Sequence, residues 1–258
     1  MSVSTPVLEI SALTKHYGGV RALDGVSFAI APGELLALIG PNGAGKSTCF
    51  NIVNGQLRPD AGEVRLKGRD ITGLAPRRIA RLGVGRTFQV ASVFGSMTVR
   101  ENVQMALIAA RGQVFRLWAP AHRMAREEAL ALLQQTGMAA QAERPAATLA
   151  YGDVKRLELA MALAGNPDLL LMDEPTAGMS GEERQAMIAL VRSLTRARNL
   201  AVLFTEHAMD VVFGHADRVV VLARGRLIAN GSVEEVRNDP AVRAAYLGGV
   251  TPAASAAP

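Results

Sequence analysis

Hydrophobic positions fall in short strand-like runs at both ends of the chain and at helical spacing through its middle. Val7-Leu8-Glu9-Ile10 and Val26-Ser27-Phe28-Ala29-Ile30 alternate or run apolar between glycine-rich turns, and Gly62-Glu63-Val64-Arg65-Leu66-Lys67-Gly68 keeps one face polar. These stretches predict an antiparallel β-layer. Leu35-Leu36-Ala37-Leu38-Ile39 is apolar throughout and precedes, across a glycine-rich loop, Cys49-Phe50-Asn51-Ile52-Val53. That order predicts a buried strand feeding a helix. Leu82-Gly83-Val84-Gly85-Arg86-Thr87-Phe88-Gln89 predicts a strand ending in a polar amide.

From Thr98 to about Gln141 the period becomes helical, with Val103, Leu107 and Ile108 on one helix, Leu130 and Leu133 on another, and Gly137 as a stop. Phe115, Leu117 and Trp118 stand just before Pro120 and either dock a partner or close the core of this insert. Another helix, through Leu157, Ala160, Met161 and Leu163, follows Leu149-Ala150-Tyr151-Gly152-Asp153. Leu169-Leu170-Leu171-Met172 predicts a second buried strand, residues 181 to 198 a helix carrying Met187, Leu190, Val191 and Leu194, and Leu200-Ala201-Val202-Leu203-Phe204-Thr205 a third buried strand. Arg218 to Leu222 and Arg226 to Ala229 predict a hairpin across Ala223-Arg224-Gly225, with short helices after it. The pattern is that of an α/β chain, one domain over residues 1–248 with a helical insert at about 90–165. The end, 249–258, has nothing to bury and is expected to be disordered.

Composition narrows this only a little. A chain of 258 residues, 49% hydrophobic, can bury the core of one large domain or of a domain with a subdomain. No apolar run reaches the ~18 residues of a membrane span. Met1-Ser2-Val3-Ser4-Thr5-Pro6 lacks a basic region followed by an apolar one, so a cytosolic location is expected. The lone cysteine, Cys49, has no internal disulfide partner and reads as a small packing residue. The net charge of +5 suits nucleic acid or an anionic membrane surface. Arg77, Arg78, Arg81, Arg86, Arg111, Arg116, Arg123 and Arg126 lie in separate stretches, which favours a solvated or membrane-proximal face over nucleic acid.

The chemistry is concentrated at strand ends. Gly40-Pro41-Asn42-Gly43-Ala44-Gly45-Lys46-Ser47-Thr48 matches G-x-x-x-x-G-K-[ST] between a strand and a helix. Its glycines allow the backbone N–H groups to converge on polyphosphate oxygens at the positive end of a helix dipole. Lys46 is placed to reach the terminal phosphates and the Ser47 hydroxyl to coordinate magnesium. Leu149-Ala150-Tyr151-Gly152-Asp153 forms either a second anion site at a helix start or an ordinary capped turn. At the end of the strand over 169–172, Asp173 is placed to hold magnesium and Glu174 to polarise an attacking water. Tyr17 either stacks on a purine or packs in its turn. Gln89 either orients magnesium or water or is an exposed amide, and His207, after Glu206, either bonds a terminal phosphate or caps a surface turn.

The order of the phosphate loop, Gln89, Leu149-Ala150-Tyr151-Gly152-Asp153, Asp173-Glu174 and His207 resembles that of the ATP-binding-cassette (ABC) ATPases, over nearly the whole chain. The resemblance implies a phosphate-loop nucleoside triphosphatase core with an antiparallel β-subdomain and an α-helical subdomain. It also implies ATP and Mg2+ as ligands. Under it, Tyr17 is the adenine-stacking aromatic, Gln89 the Q-loop glutamine, Gly152 the signature glycine, Glu174 the catalytic base and His207 the switch histidine. Two such cassettes pair head to tail, each ATP lying between one phosphate loop and the partner's signature helix. Ala150 stands where the signature serine is usual, leaving backbone N–H groups and Gly152 to serve, and Ser180 stands where the loop after Glu174 usually carries aspartate.

Leu149-Ala150-Tyr151-Gly152, Glu206-His207-Ala208-Met209-Asp210 and the ending from Asn230-Gly231 through Asp239-Pro240 to Tyr246-Leu247-Gly248 resemble the ATPases of branched-chain amino-acid importers. The implied protein is peripheral on the cytoplasmic face of the inner membrane. Its implied partners are permease subunits, a second cassette, identical or paralogous, and indirectly a periplasmic solute-binding protein, with no nucleic acid. ATP-driven closure of the dimer would be the power step and hydrolysis the reset. Urea uptake and lipopolysaccharide export share most of these residues. A soluble cassette acting on ribosomes or DNA fits less well, with one phosphate loop and a short insert present. A nucleotide kinase or GTPase would not explain Gln89, Gly152 and His207 together.

Overall fold

A computed structural model describes residues 5–87, 93–112 and 125–247. Gln89, the Phe115–Trp118 stretch and the 249–258 end lie outside the described residues. In chain order the first elements are β1 (Leu8–Tyr17), β2 (Val20–Ile30), β3 (Leu35–Ile39), α1 (Lys46–Val53), β4 (Ala61–Leu66), β5 (Arg69–Asp70), α2 (Pro76–Arg81) and β6 (Val84–Arg86). The middle supplies α3 (Val99–Ala110), α4 (Arg126–Gln135) and α5 (Tyr151–Leu163). Then come β7 (Leu169–Asp173), α6 (Gly181–Arg198), β8 (Ala201–Thr205), α7 (Met209–His215), β9 (Arg218–Ala223), β10 (Arg226–Gly231), α8 (Val233–Asn238) and α9 (Pro240–Leu247).

Two sheets organise these elements. An antiparallel sheet has the order β2-β1-β4-β5, and a larger one the order β10-β9-β3-β8-β7-β6. Within the larger sheet β9, β3, β8, β7 and β6 run parallel, and only β10 is antiparallel. Central parallel strands are covered on both faces, which is why β3, β7 and β8 are apolar up to their last residues. Leu35, Ala37 and Ile39 of β3, Val202 and Phe204 of β8, and Leu170 and Met172 of β7 face a core shared with α3 to α7. The alternate residues Leu36 and Leu38, Ala201 and Leu203, and Leu169 and Leu171 face a second core with α1 and the antiparallel sheet. Cys49, Phe50, Ile52 and Val53 of α1 fill that second core. Burial pushes the Cys49 thiol up to about 12, in keeping with a packing role.

The expected helices appear at 99–110, 126–135, 151–163 and 181–198. Thr98, Ser180 and Ser232 each begin a helix with a reciprocal capping box, to Glu101, Glu183 and Glu235. Two strand expectations need correction. The first strand extends well past Ile10, so Lys15-His16-Tyr17 lie on β1 and not in a loop, and the turn is Gly18-Gly19 alone. The register of β1 against β2 shifts between Ile10 and Leu13, Leu13 and Lys15, and Lys15 and His16, with Ala12 at φ 49°. Each shift breaks the inside–outside alternation that marks a strand in sequence. The strand expected to reach Gln89 ends at Arg86.

Phe204 is fully buried in β8, the strand between β3 and β7. Phe204→Ala is expected to cost about 3–5 kcal/mol of folding free energy. Urea denaturation checks this, and a loss below about 1 kcal/mol would contradict a close-packed core at this strand.

Candidate active site

The parallel ladder brings the chemical residues to one edge. Ala37 pairs with Phe204, Asp173 with Thr205 and Arg86 with Leu171. The segments leaving β3, β7, β8 and β6 therefore all emerge at the carboxyl ends of adjacent strands, where open α/β sheets bind ligands. Gly40 to Thr48 leaves β3, Glu174 leaves β7, and Glu206-His207 leaves β8.

The phosphate loop is shaped by what its glycines exclude. Gly40 has φ +153°, and a Cβ there would lie 2.2 Å from the Leu222 carbonyl oxygen. At Gly45, φ is +106° and a Cβ would meet the Ala22 oxygen at 2.4 Å. Both positions are closed to a side chain. Gly43, at φ +77°, opens onto free space, and Asn42 and Ser47 are exposed beside it. Pro41 and Thr48 are partly buried, and Ala44 packs into the core and offers the loop only its backbone. Gly45 precedes α1 without a side-chain cap, so the first-turn N–H groups remain available to oxygen ligands. Lys46 is almost fully buried, and its Nζ donates to the carbonyls of Gly40 at 2.6 Å and Pro41 at 3.2 Å. Burial pulls its ammonium below the ordinary lysine range, against the opposing pull of Glu174 and Asp173.

The two carboxylates are held differently. Asp173 Oδ1 accepts the Thr205 hydroxyl at 2.7 Å, and its Oδ2 lies 3.9 Å from the Arg86 guanidinium. Glu174 takes the left-handed conformation, φ 49°, fixed by bonds from its N–H to Thr205 O at 3.2 Å and Thr205 Oγ1 at 3.1 Å. Glu174 Oε1 then lies 3.0 Å from His207 Nε2. Lys46, Asp173, Glu174 and His207 are thus one constellation. The exposed Ser47 hydroxyl and the Asp173 carboxylate are hard oxygen donors of the kind Mg2+ takes. Gln89 falls outside the described residues.

The other expected site residues lie apart from it. Tyr17, half-exposed, ends β1, with Lys15 Nζ 6.0 Å from its ring centroid. Ala150, Gly152 and Asp153 line a hollow of about 150 Å³ with Arg156, Met179 and Glu183. Tyr151 is half-exposed over Lys155 and stands against the loop at Gly178, where a Cβ would come within 3.3 Å of its ring. Gln141 Nε2 donates to Asp153 at 3.1 Å. Among the described residues no hydrogen bond or ion pair joins Ala150–Asp153 to the phosphate loop or to Glu174.

The "ABC transporter" family model matches residues 23–177 of this chain. The chain belongs to the ABC transporter family. It is one of that family's ATP-hydrolysing cassettes. A second model, "Branched-chain amino acid ATP-binding cassette transporter", matches residues 226–250. The chain is 40% identical to the high-affinity branched-chain amino acid transport ATP-binding protein LivG of Salmonella typhimurium, with 95% of this chain and 99% of LivG covered. The ADP conformation of MJ1267, an ATP-binding cassette of an ABC transporter, superposes with TM-score 0.85 at 32% identity, covering 95% of this chain and all of that one. A dimeric post-hydrolysis state of the cassette MJ0796 bound to ADP and Pi matches at TM-score 0.73 and 25% identity, over 88% and 98% of the two chains.

Three residues of the cassette escaped the reading of sequence alone. Thr205 joins Asp173 and Glu174 across the β7–β8 ladder. Arg86 reaches Asn51 at 3.3 Å and Gln56 at 2.9 Å besides Asp173, with its Nε buried and unpartnered among the described residues. Asp60 accepts Lys15 Nζ at 2.7 Å and the His16 N–H at 2.6 Å, and so secures the end of β1 that carries Tyr17. The Pro59-Asp60-Ala61-Gly62 turn was the available signal, but only the β1–β4 pairing connects it to Tyr17.

The Lys15 bond, then the His16 N–H, hold Asp60 at about 2, below its ordinary 3.8. A depressed folded-state value stabilises above the unfolded value and is lost as pH falls through the folded one. The difference in thermal midpoint between wild type and Asp60→Asn is therefore expected to be constant from pH 7 to about 5 and to shrink below about pH 4. A difference that widens on acidification would show that this ion pair is not what Asp60 contributes.

Proposed function

We propose that this cassette binds ATP with Mg2+ and hydrolyses it to drive uptake of branched-chain amino acids through a membrane permease. The contact of His207 Nε2 with Glu174 Oε1 at 3.0 Å, one strand from the phosphate loop, carries the hydrolytic part of this reading. The identity with LivG over nearly all of both chains supports the solute class. Urea uptake, lipopolysaccharide export and a soluble, non-transport role are not favoured beside it.

In this reading the N–H groups of Gly43 to Thr48 and Lys46 hold the phosphates, Lys46 exchanging its carbonyl partners for phosphate oxygens. Ser47 and Asp173, with Gln89, hold Mg2+, which would neutralise phosphate charge when bound. Glu174 accepts a proton from the attacking water, and His207 orients Glu174 and the terminal phosphate. Tyr17 stacks on adenine. Tyr151, Gly152 and Asp153 serve the nucleotide of a partner cassette, a reading supported by the dimeric MJ0796 state. Residues 1–248 act as one ATPase domain with its helical subdomain at about 90–165.

The permease is seated in this reading at a groove of about 400 Å³ between α2, β6, α3 and α5, lined by Ile79, Val84 and Met161 together with Arg77, Arg81 and Arg86. Among the described residues no helix is long and apolar enough to cross a membrane. A peripheral position on the cytoplasmic face, held by permease subunits that a periplasmic binding protein supplies, follows from this reading.

Lys46→Ala is expected to weaken ATP binding by ~10–100-fold, as loss of charge-assisted hydrogen bonds does, with the melting midpoint little changed. Isothermal titration with ATP reads it, and undiminished affinity would remove Lys46 from the phosphate site. Glu174→Gln is expected to bind ATP normally and lower turnover by ~10²–10⁴. In source cells lacking the chain, wild type is expected to restore uptake of labelled leucine, isoleucine and valine, and Glu174→Gln is not. Restored urea uptake with unchanged amino-acid uptake would transfer the cassette to another solute.

A further inference from the structure

Glu206 is a buried carboxylate that the proposed hydrolysis does not use. It is 5% exposed and directly follows β8. One oxygen, Oε1, accepts both the N–H of Thr176 at 3.0 Å and its hydroxyl at 2.5 Å. The other, Oε2, accepts the N–H of His207 at 3.1 Å and of Ala208 at 3.5 Å. All four donors are neutral groups, so no cation in this set offsets the desolvation of the charge. A buried carboxylate in such a setting serves geometry better than stability.

The geometry it serves is specific. Thr176, itself fully buried, lies two residues after Glu174 and begins the turn into the Gly178–Ser180 loop. The His207 N–H belongs to the residue whose ring touches Glu174. Glu206 therefore ties the segment leaving β7 to the segment leaving β8 on the far side of the Glu174–His207 contact. Thr205 ties the same two strands one residue earlier, through Asp173 Oδ1 and the Glu174 N–H. Between them, Thr205 fixes where Glu174 starts and Glu206 fixes where Thr176 and His207 continue.

We propose that Glu206 is a positioning residue for hydrolysis, clamping the loop after Glu174 to the loop of His207 so that the two catalytic side chains meet. This rests on the hydrolytic roles given to Glu174 and His207 above. Because Glu206 touches neither nucleotide nor the phosphate loop in this scheme, its loss should be felt in turnover and not in ATP binding. Glu206→Gln keeps an acceptor for Thr176 but turns an NH2 group toward the N–H groups of His207 and Ala208. Thr176→Val removes the hydroxyl bond to Oε1, and Thr176→Ser retains it.

The test measures ATPase kcat and KM on the full chain, with its partner cassette and permease where the chain alone turns over too slowly. Glu206→Gln is expected to lower kcat by on the order of ten- to a hundredfold, the scale of a misplaced catalytic group, with KM for ATP within about twofold of wild type. Thr176→Val should shift kcat in the same direction, and Thr176→Ser should restore it. In a His207→Ala background, single-turnover phosphate release should show little further loss from Glu206→Gln, because the clamp acts through His207. Normal kcat in Glu206→Gln, a rise in KM matching the fall in kcat, or full additivity with His207→Ala would overturn the proposal. If Glu206→Gln fails to fold, the Thr176→Val and Thr176→Ser pair decides, equal kcat in the two counting against the clamp. Unchanged kcat in His207→Ala and Glu174→Gln would overturn the catalytic reading and this inference together, whereas normal kcat in Glu206→Gln alone overturns only the inference.

Discussion

Burial of the parallel strands β9, β3, β8 and β7 on both faces is the constraint from which the rest of the cassette follows. A strand covered on both sides has no solvent-facing position, so β3, β7 and β8 carry polar groups only at their ends. Parallel pairing puts those ends on one edge. The phosphate loop, Asp173-Glu174 and Glu206-His207 meet because their strands leave the core together, although more than 160 residues of chain separate Gly40 from His207. Register has the same authority at finer scale. The pairing of Asp173 with Thr205 sets a hydroxyl against a carboxylate, and a slip of one residue would turn Thr205 to the opposite face.

Legibility tracks how local the cause of each feature is. The phosphate loop was readable because its residue types stand at fixed spacing within nine positions, although the clashes that demand Gly40 and Gly45 come from Leu222 and Ala22 on distant strands. Asp173-Glu174 was readable because an apolar strand stopping at two carboxylates has few other uses. The true length of β1 was not, since three register shifts scramble its alternation. Asp60, Thr205 and Glu206 look unremarkable in sequence. Their partners are 44, 32 and 30 residues away, and pairing alone brings them together. Ser180 was read as a departure from the loop's usual aspartate, and its hydroxyl proves to be occupied with Glu183 in starting α6. The Ser-x-x-Glu spacing that signals this cap was present in the chain.

Electrostatics at the strand edge are balanced so that no single pairing dominates. Burial disfavours the Lys46 charge while Glu174 and Asp173 favour it, and the ammonium settles on two carbonyl oxygens. Arg86 stands 3.9 Å from Asp173, beyond hydrogen-bond reach, with its own carbonyl partners on Asn51 and Gln56. Neutral carbonyl and amide partners are weaker than a full ion pair. On the proposed reading, phosphate and a divalent cation would claim Lys46 and Asp173 without first breaking a tight salt bridge between them.

The segment from Ala150 to Asp153 obeys a different logic, which bears on why a second cassette would be needed. Ala150 precedes α5 with no side-chain cap, so the N–H groups of the first turn have no serine or aspartate oxygen to satisfy them. A helix start of this kind is suited to an external anion, and Asp153, already engaged by Gln141, does not fold back to fill it. Yet this turn is hydrogen-bonded to Gln141, between α4 and α5, and its Tyr151 ring lies against Gly178, with no bond to the phosphate loop of its own chain among the described residues. On the proposed reading, the phosphate it would meet belongs to a partner. The missing serine hydroxyl then weakens one contact to that phosphate while leaving the backbone donors in place, so the loss falls on the strength of dimer closure and not on the chemistry at Glu174.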